Sequence, residues 1–270
     1  MTRFSTLELL TDDGGAATLW LNRPAVNNAF NAQMIEELHD ALAQVEIDSQ
    51  VRLLVLRGRG RHFSAGADLQ WMQASAQLGL EANLAEARRL SDLMHRLYTL
   101  PCPTLAVVQG AAFAGALGLV SCCDMAIAAE DARFCLSEVR LGLAPAVISP
   151  YVAQALGSRA TRRYTLTGDL FTATEGLALG LLAEVCVPAA LDDYAARWVR
   201  NLLRNGPQAM RASKALLLEV GEGGLSEPLR RRTEQVIAQL RASPEGQEGI
   251  CAFLGKRAPA WQPAWQEMQP

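Results

Sequence analysis

The sequence predicts an α/β fold that ends in an all-helical C-terminal region. Strand-like and helix-like segments alternate to about residue 190, and from Ala189 onward the pattern is almost wholly helical. With 50% hydrophobic and 20% charged residues over 270 positions, the chain can bury a full core. The expected division is therefore 1–190 for the α/β core and 191–270 for the helical region.

Taken in order, "AATLWLNRP" (16–24) reads as a strand closed by a turn. In the next segment Met34, Ile35, Leu38, Leu42 and Val45 recur at helical spacing, with Asn31 as N-cap. "VRLLVLRG" (51–58) is a buried strand, and "GRGRHFSAGAD" is a glycine-punctuated loop. Leu69 to Leu100 is mostly helical. "PTLAVVQG" is a strand, and "FAGALGLVSCCD" (113–124) follows it as a helix. "MAIAAEDARF" gives one or two short strands, and "LGLAPAVISPYVAQAL" a turn then a helix with Pro145 in its first turn. Two more helices and the strand "LAEVCVP" complete the core. In the tail, Ser243-Pro244-Glu245 has the form of an N-cap, a first-turn proline and an acidic first turn.

A net charge of −3 argues against a general nucleic-acid binder. No apolar run is long enough for a membrane span, and the N-terminus carries no targeting pattern. The six cysteines form no CxxC pair and the three histidines are scattered, which argues against a zinc site and a disulfide framework. Buried reduced thiols in a cytoplasmic protein are expected instead. The tryptophans at 20, 71, 198, 261 and 265 suit core or interface packing rather than a binding stripe.

Nucleophilic hydrolysis lacks its signature, since there is no GxSxG elbow. His39 and His95 fall in amphipathic helices, and His62 in the glycine loop is a weak candidate. "GAAFAG" (110–115) lacks the middle glycine of a dinucleotide-binding loop, and there is no P-loop lysine. Two glycine-rich turns remain, "FSAGAD" and "QGAAFAGALG". Small residues at a helix N-terminus let a ligand approach unpaired N–H groups, and two such groups can converge on one oxygen. Tight helix packing explains the same composition. Glu138 lies among apolar neighbours in "FCLSEVRLGLAP". It is either a surface loop carboxylate or an acid raised toward working pH by burial.

These segments resemble the crotonase, or enoyl-CoA hydratase/isomerase, superfamily nearly end to end. The resemblance runs through "LNRPAVNNAFN" (21–31), "HFSAGADL" (62–69), residues 103–134, "LSEVRLGLAP" (136–145), residues 166–185 and "SPEGQEGICAFLGKRAPAW" (243–261). It implies a spiral of ββα units whose C-terminal helices build trimers, usually paired into hexamers. It implies an acyl-CoA thioester as substrate, with no metal and no redox cofactor. The oxyanion hole falls on the backbone N–H groups of Ala67 and Gly115, where losing one donor typically costs ~3 kcal/mol. Ala65, Ala67, Asp68, Leu69 and Gln70 fall on the CoA and pantetheine path. Phe253 and Lys256 fall where the tail of this or a neighbouring subunit meets CoA. Glu138 matches one of two catalytic glutamates of the hydratases. The other position is Gly118, three residues after Gly115, and Asp124 lies too far along to replace it.

"SAGADLQWM", "GLVSCCDMAIA", "CLSEVRLGLAPAVISPYV" and "SPEGQEG" look like a bacterial subgroup acting on 3-methylglutaconyl-CoA and isohexenylglutaconyl-CoA, in leucine/isovalerate and acyclic-terpene breakdown. The implied function is hydration of a 3-substituted glutaconyl-CoA. The alternatives are a Δ3-Δ2 enoyl-CoA isomerase using Glu138 alone and a catalytically silent binding protein. Trp71, Met72 and the following helix are expected to shape the acyl pocket. Gly118 is expected to leave room beside C3, and Arg140 shares the direction of Glu138 if the segment is extended.

Overall fold

The computed structural model describes residues 4–222 and 224–262. Trp265 and the end of the expected helical region to Pro270 lie outside the described residues. In chain order the strands are β1 (Leu7–Thr11), β2 (Ala16–Leu21), β3 (Leu53–Gly58), β4 (Thr104–Val108), β5 (Ala111–Phe113), β6 (Met125–Ala129), β7 (Arg133–Cys135), β8 (Leu170–Thr172) and β9 (Glu184–Cys186). One sheet has the order β1-β2-β3-β4-β6-β9, and a smaller one β5-β7-β8. In the larger sheet β1 runs antiparallel to β2, and every later pairing is parallel.

The helices are α1 (Ala32–Ile47), α2 (Leu69–Ser75), α3 (Leu80–Tyr98), α4 (Gly115–Cys122), α5 (Ser149–Leu156), α6 (Ser158–Thr167), α7 (Ala173–Ala178), α8 (Leu191–Leu203), α9 (Pro207–Glu222), α10 (Glu227–Ala242) and α11 (Pro244–Leu254). The predicted caps form: Asn31 accepts from Met34 N–H, and Ser243 from Gly246 N–H.

The central strands are apolar throughout because both sheet faces are covered. Leu54, Leu56, Ala106, Val108, Ala126 and Ala128 point into the core beneath α1, α3 and α4. Their neighbours Leu53, Val55, Leu105, Val107 and Ile127 point to the other face, where Leu191, Ala195 and Leu203 of α8 close over them. The helical tail is then pinned by charge. Lys214 on α9 is buried and its Nζ donates to Asp124 Oδ2 at 2.8 Å, where Thr104 N–H also donates at 2.7 Å.

Three details differ from expectation. The helix predicted around Pro145 begins at Ser149, with a proline still in its first turn. That proline is Pro150; the residue before Pro145 is driven away from helical geometry, so the chain turns first. Phe113 belongs to β5, so the helix of "FAGALGLVSCCD" starts at Gly115. Cys251 is an exposed thiol, whereas Cys102, Cys122, Cys135 and Cys186 are buried. Among the described residues no helix is long and apolar enough to cross a membrane, and no group of three or more His, Cys, Asp or Glu side chains could hold a metal ion.

Candidate active site

Three parallel segments bring the residues singled out by the sequence to one place. Ser64 pairs with Ala112 in an isolated parallel bridge, and Phe113 pairs with Cys135 in the β5–β7 ladder. Since Ala112 also pairs with Phe134, Ser64, Ala112 and Phe134 are side by side across three segments running the same way. Ala67 and Gly115 lie three residues further along their own segments, and Glu138 four. The shared register therefore brings both glycine-rich turns and the isolated acid to the same end of the small sheet.

Ala67 is bracketed by Phe30. Phe30 N–H donates to Gly66 O at 2.7 Å, and Asp68 N–H to Phe30 O at 2.8 Å. In such a bridge the bracketed residue directs its own N–H and C=O to the opposite side. Ala67 N–H donates to no backbone or side-chain acceptor among the described residues. The same is true of Gly115 N–H, which opens α4 and so lies at the partly positive helix end.

The two turns are wedged together. Gly66 has φ +94, and a Cβ there would sit 3.0 Å from Phe113 O. Gly115 lies against the Phe30 ring, with its Cβ position 3.2 Å from Cε2. Between them Ala114 is held at φ 50 and ψ −121, a conformation that costs a non-glycine residue about 1–3 kcal/mol. Its N–H is tied to Cys135 O at 2.8 Å, and its carbonyl accepts from Leu117 and Gly118. The strain is thus over-determined, and its consequence is the direction of Gly115 N–H.

Behind the first turn, Asn28 is fully buried with φ 54. Its Nδ2 donates to the carbonyls of Arg59, His62 and Phe63, and Ser64 Oγ donates to Asn28 O. Asparagine tolerates left-handed backbone better than other side-chain-bearing residues. The "NN" pair was the available sign of this buttress, whose partners sequence spacing does not reveal.

Glu138 opens a short 3-10 turn, Glu138–Leu141. Its Oε2 is buried and has no hydrogen-bond partner among the described residues. Burial pushes the carboxyl above the usual 4.5, against the opposing hydrogen bond from its own backbone N–H. A half-buried carboxyl with an unpaired Oε2, at the same end of the small sheet as two free donors, is equipped to exchange protons.

The remaining expected ligands separate into backbone and side chain. Ala65, Leu69 and Gln70 are exposed along the turn. Asp68 is committed to structure: it caps α2 through Gln70 N–H and pairs with Arg23 Nη1 at 3.0 Å. Although burial opposes it, the Arg23 hydrogen bond and these N–H groups hold its carboxyl below the usual value. Arg140 does not share the direction of Glu138, because a 3-10 turn replaces the extended segment; its guanidinium Nε lies 3.0 Å from the Cβ position of Gly168. Phe253 and Lys256 are not brought to the site within this chain. Helix α11 packs on α9 and α10, and Phe253 is 83% exposed.

Gly118 requires a correction. No room stands beside it: a Cβ there would meet Ile148 Cγ2 in a clash and lie 2.8 Å from Ile148 Cβ and 3.3 Å from Met94 Cε. Both neighbours are buried, so the site where a second carboxylate would begin is filled with hydrocarbon. Neither residue carries a sequence signal for this role. Asp124, at the far end of α4, is engaged by Thr104 and Lys214.

A cavity of about 490 Å³ opens beside the site between α2, α3 and the loop after Glu138. Trp71, Met72, Leu90, Leu143 and Val147 line it. Leu143 N–H donates to Glu138 O, which couples this wall to the acid. A larger cavity of about 820 Å³ lies at the opposite end of α4, around Asp124 and Lys214.

The chain and its fold are shared with known proteins. The enoyl-CoA hydratase/isomerase family profile matches residues 11–264. The chain is 45% identical to a crystallised enoyl-CoA hydratase from Shewanella pealeana, with a TM-score of 0.92 over 96% of this chain and 97% of that one. It is 37% identical to Pseudomonas aeruginosa AtuE, with a TM-score of 0.92 over 96% and 100% of the two chains. It is also 33% identical to the 2,3-dehydroadipyl-CoA hydratase of Escherichia coli K12, over 89% of this chain and 92% of that protein.

Proposed function

The chain belongs to the enoyl-CoA hydratase/isomerase family, and within it we propose a hydratase that adds water across the α,β double bond of a 3-substituted glutaconyl-CoA. The thioester oxygen sits between Ala67 N–H and Gly115 N–H, which strengthen their hold as it gains enolate charge. Glu138 takes a proton from the water that attacks C3 and returns one to C2. Acid–base chemistry on an activated thioester calls for neither a redox carrier nor a metal ion. The observation that carries this reading is the buried, unpartnered Oε2 of Glu138 at the edge shared with the two free donors.

Two similarities support the dicarboxylic substrate. The subgroup motifs lie in the segments that build the site, and the Escherichia coli relative is named for a dicarboxylic enoyl-CoA. The methyl- and isohexenyl-branched glutaconyl thioesters are the substrates proposed, in leucine/isovalerate or acyclic-terpene breakdown in the cytoplasm. The proposed assembly is a trimer or a dimer of trimers built by residues 191–270. In it Phe253 and Lys256 meet the CoA of a neighbouring subunit.

A second reading is favoured by one observation: Ile148 closes the position of a second carboxylate. An isomerase that shuttles a proton between C4 and C2 needs only Glu138. A panel of purified enoyl-CoAs decides between them, followed by loss of conjugated enoyl absorbance and product mass. Hydrated product from 3-substituted glutaconyl-CoA supports the first reading. Conversion of 3-enoyl-CoA to 2-enoyl-CoA without hydration supports the second.

A further inference from the structure

Glu86, on α3, stands in the wall of the 490 Å³ cavity and is the only ionisable side chain lining it among the described residues. Its two oxygens are used from the opposite wall: Ser75 Oγ donates to Oε2 at 2.6 Å and Trp71 Nε1 to Oε1 at 3.3 Å. Both donors belong to α2, which buries no residue of its own and follows directly on the Ala67 turn. Neither donor is a cation, so the carboxylate's charge is not cancelled inside the cavity. The rest of the lining is mainly hydrocarbon, from Met72, Leu90, Leu143 and Val147.

C3 of a 3-substituted glutaconyl thioester bears two arms, one apolar and one ending in a carboxylate. We propose that Glu86 is a specificity-determining residue that admits the apolar arm to this cavity and turns the carboxylate arm away. Two like charges in a half-dry cavity repel, whereas a hydrocarbon arm meets Leu, Val and Met surface and gains by leaving water. The same carboxylate, through Ser75 and Trp71, fixes α2 across the cavity and so sets its width. This inference rests on the reading that Ala67 and Gly115 hold the thioester. It does not rest on hydration.

The test uses saturated acyl-CoAs, which bind without reacting. Hexanoyl-CoA and adipyl-CoA have acyl chains of equal carbon number and differ in a terminal methyl or carboxylate. Their Kd values are measured by calorimetry on the wild-type protein and on Glu86→Gln, Glu86→Ala and Ser75→Ala. The wild type binds hexanoyl-CoA at least about tenfold more tightly than adipyl-CoA, because only the adipyl carboxylate meets the like charge of Glu86. Glu86→Gln keeps an acceptor for the α2 donors but removes the charge, and it narrows the ratio at least about fivefold. Ser75→Ala weakens the tether but leaves the charge, so the ratio stays. A ratio unchanged in Glu86→Gln, or a wild type that prefers adipyl-CoA, overturns the proposal. Because no turnover is involved, failure of the hydratase reading leaves this result standing. Loss of all acyl-CoA binding in Glu86→Gln at unchanged Tm also overturns it, since charge removal is then not what the ratio reports.

Discussion

Ile148 fills the space into which any side chain on residue 118 would grow, with its Cβ 2.8 Å from the position of a Cβ on Gly118. The glycine is therefore a packing necessity of α4 and α5. Gly118→Ala is expected to destabilise the protein by about 1–3 kcal/mol through overpacking, despite a helix-propensity gain of about 1 kcal/mol. Adding Ile148→Ala should recover part of the loss, so the two substitutions are non-additive in denaturant unfolding. Simple additivity would show that the pair does not compete for space. Gly118→Glu should fail to fold before any change in selectivity can be measured.

Glu138→Gln separates activity from stability. Turnover should fall about 10²–10⁴-fold, because the amide cannot exchange the proton. Burial raises the folded-state value above 4.5. Such a group stabilises the fold fully below the unfolded value, and that contribution is lost as pH rises through the folded one. Above the folded value the wild type carries the cost of an ionised half-buried carboxylate, and Glu138→Gln does not. The variant should therefore have the higher Tm at neutral pH, with the gap closing below about pH 4.5, measured by calorimetric scans across pH.

Lys214 and Asp124 lock the helical tail to the core. Lys214→Met should cost about 3 kcal/mol, the low end for breaking a buried pair, because Asp124 keeps 27% of its side chain in contact with water. Limited proteolysis should then cut first around α9. Unchanged stability would mean the pair only offsets its own desolvation.

His62 Nδ1 accepts from Ala111 N–H at 3.0 Å, at the start of the strand that leads to Gly115. Burial and the nearby Arg61 lower its pKa from 6.5, with Asp131 opposing. The neutral ring stabilises the fold fully above pH 6.5, and this contribution is lost as pH falls through the folded-state value. His62→Asn retains an acceptor that does not titrate in this range. Wild-type Tm should fall relative to it on acidification from pH 6.5, and parallel curves would contradict the assignment.

Local chemistry made much of this site legible. Periodicity marked α1, caps marked α1 and α11, and the family resemblance pointed to Ala67, Gly115 and Glu138, which the structure gathers at one end of the small sheet. What spacing could not carry was contact over distance. Lys214 meets Asp124, Ile148 meets Gly118 and Glu86 meets Ser75 across separate elements, and no local pattern records such pairs. The three-residue strands β5 and β8 were illegible because pairing to β7 defines them, not an alternating pattern of their own. The apparent room at Gly118 was inferred from one residue, whereas free space is a property of all its neighbours.

Turnover of 3-methylglutaconyl-CoA in water labelled with heavy oxygen, with the product weighed, tests the assignment of Glu138 most directly. With wild-type protein the product should gain one labelled water, and with Glu138→Gln the same product should form about 10²–10⁴-fold more slowly. A product of unchanged mass, or labelled product formed by Glu138→Gln at the wild-type rate, would contradict hydration by this carboxyl.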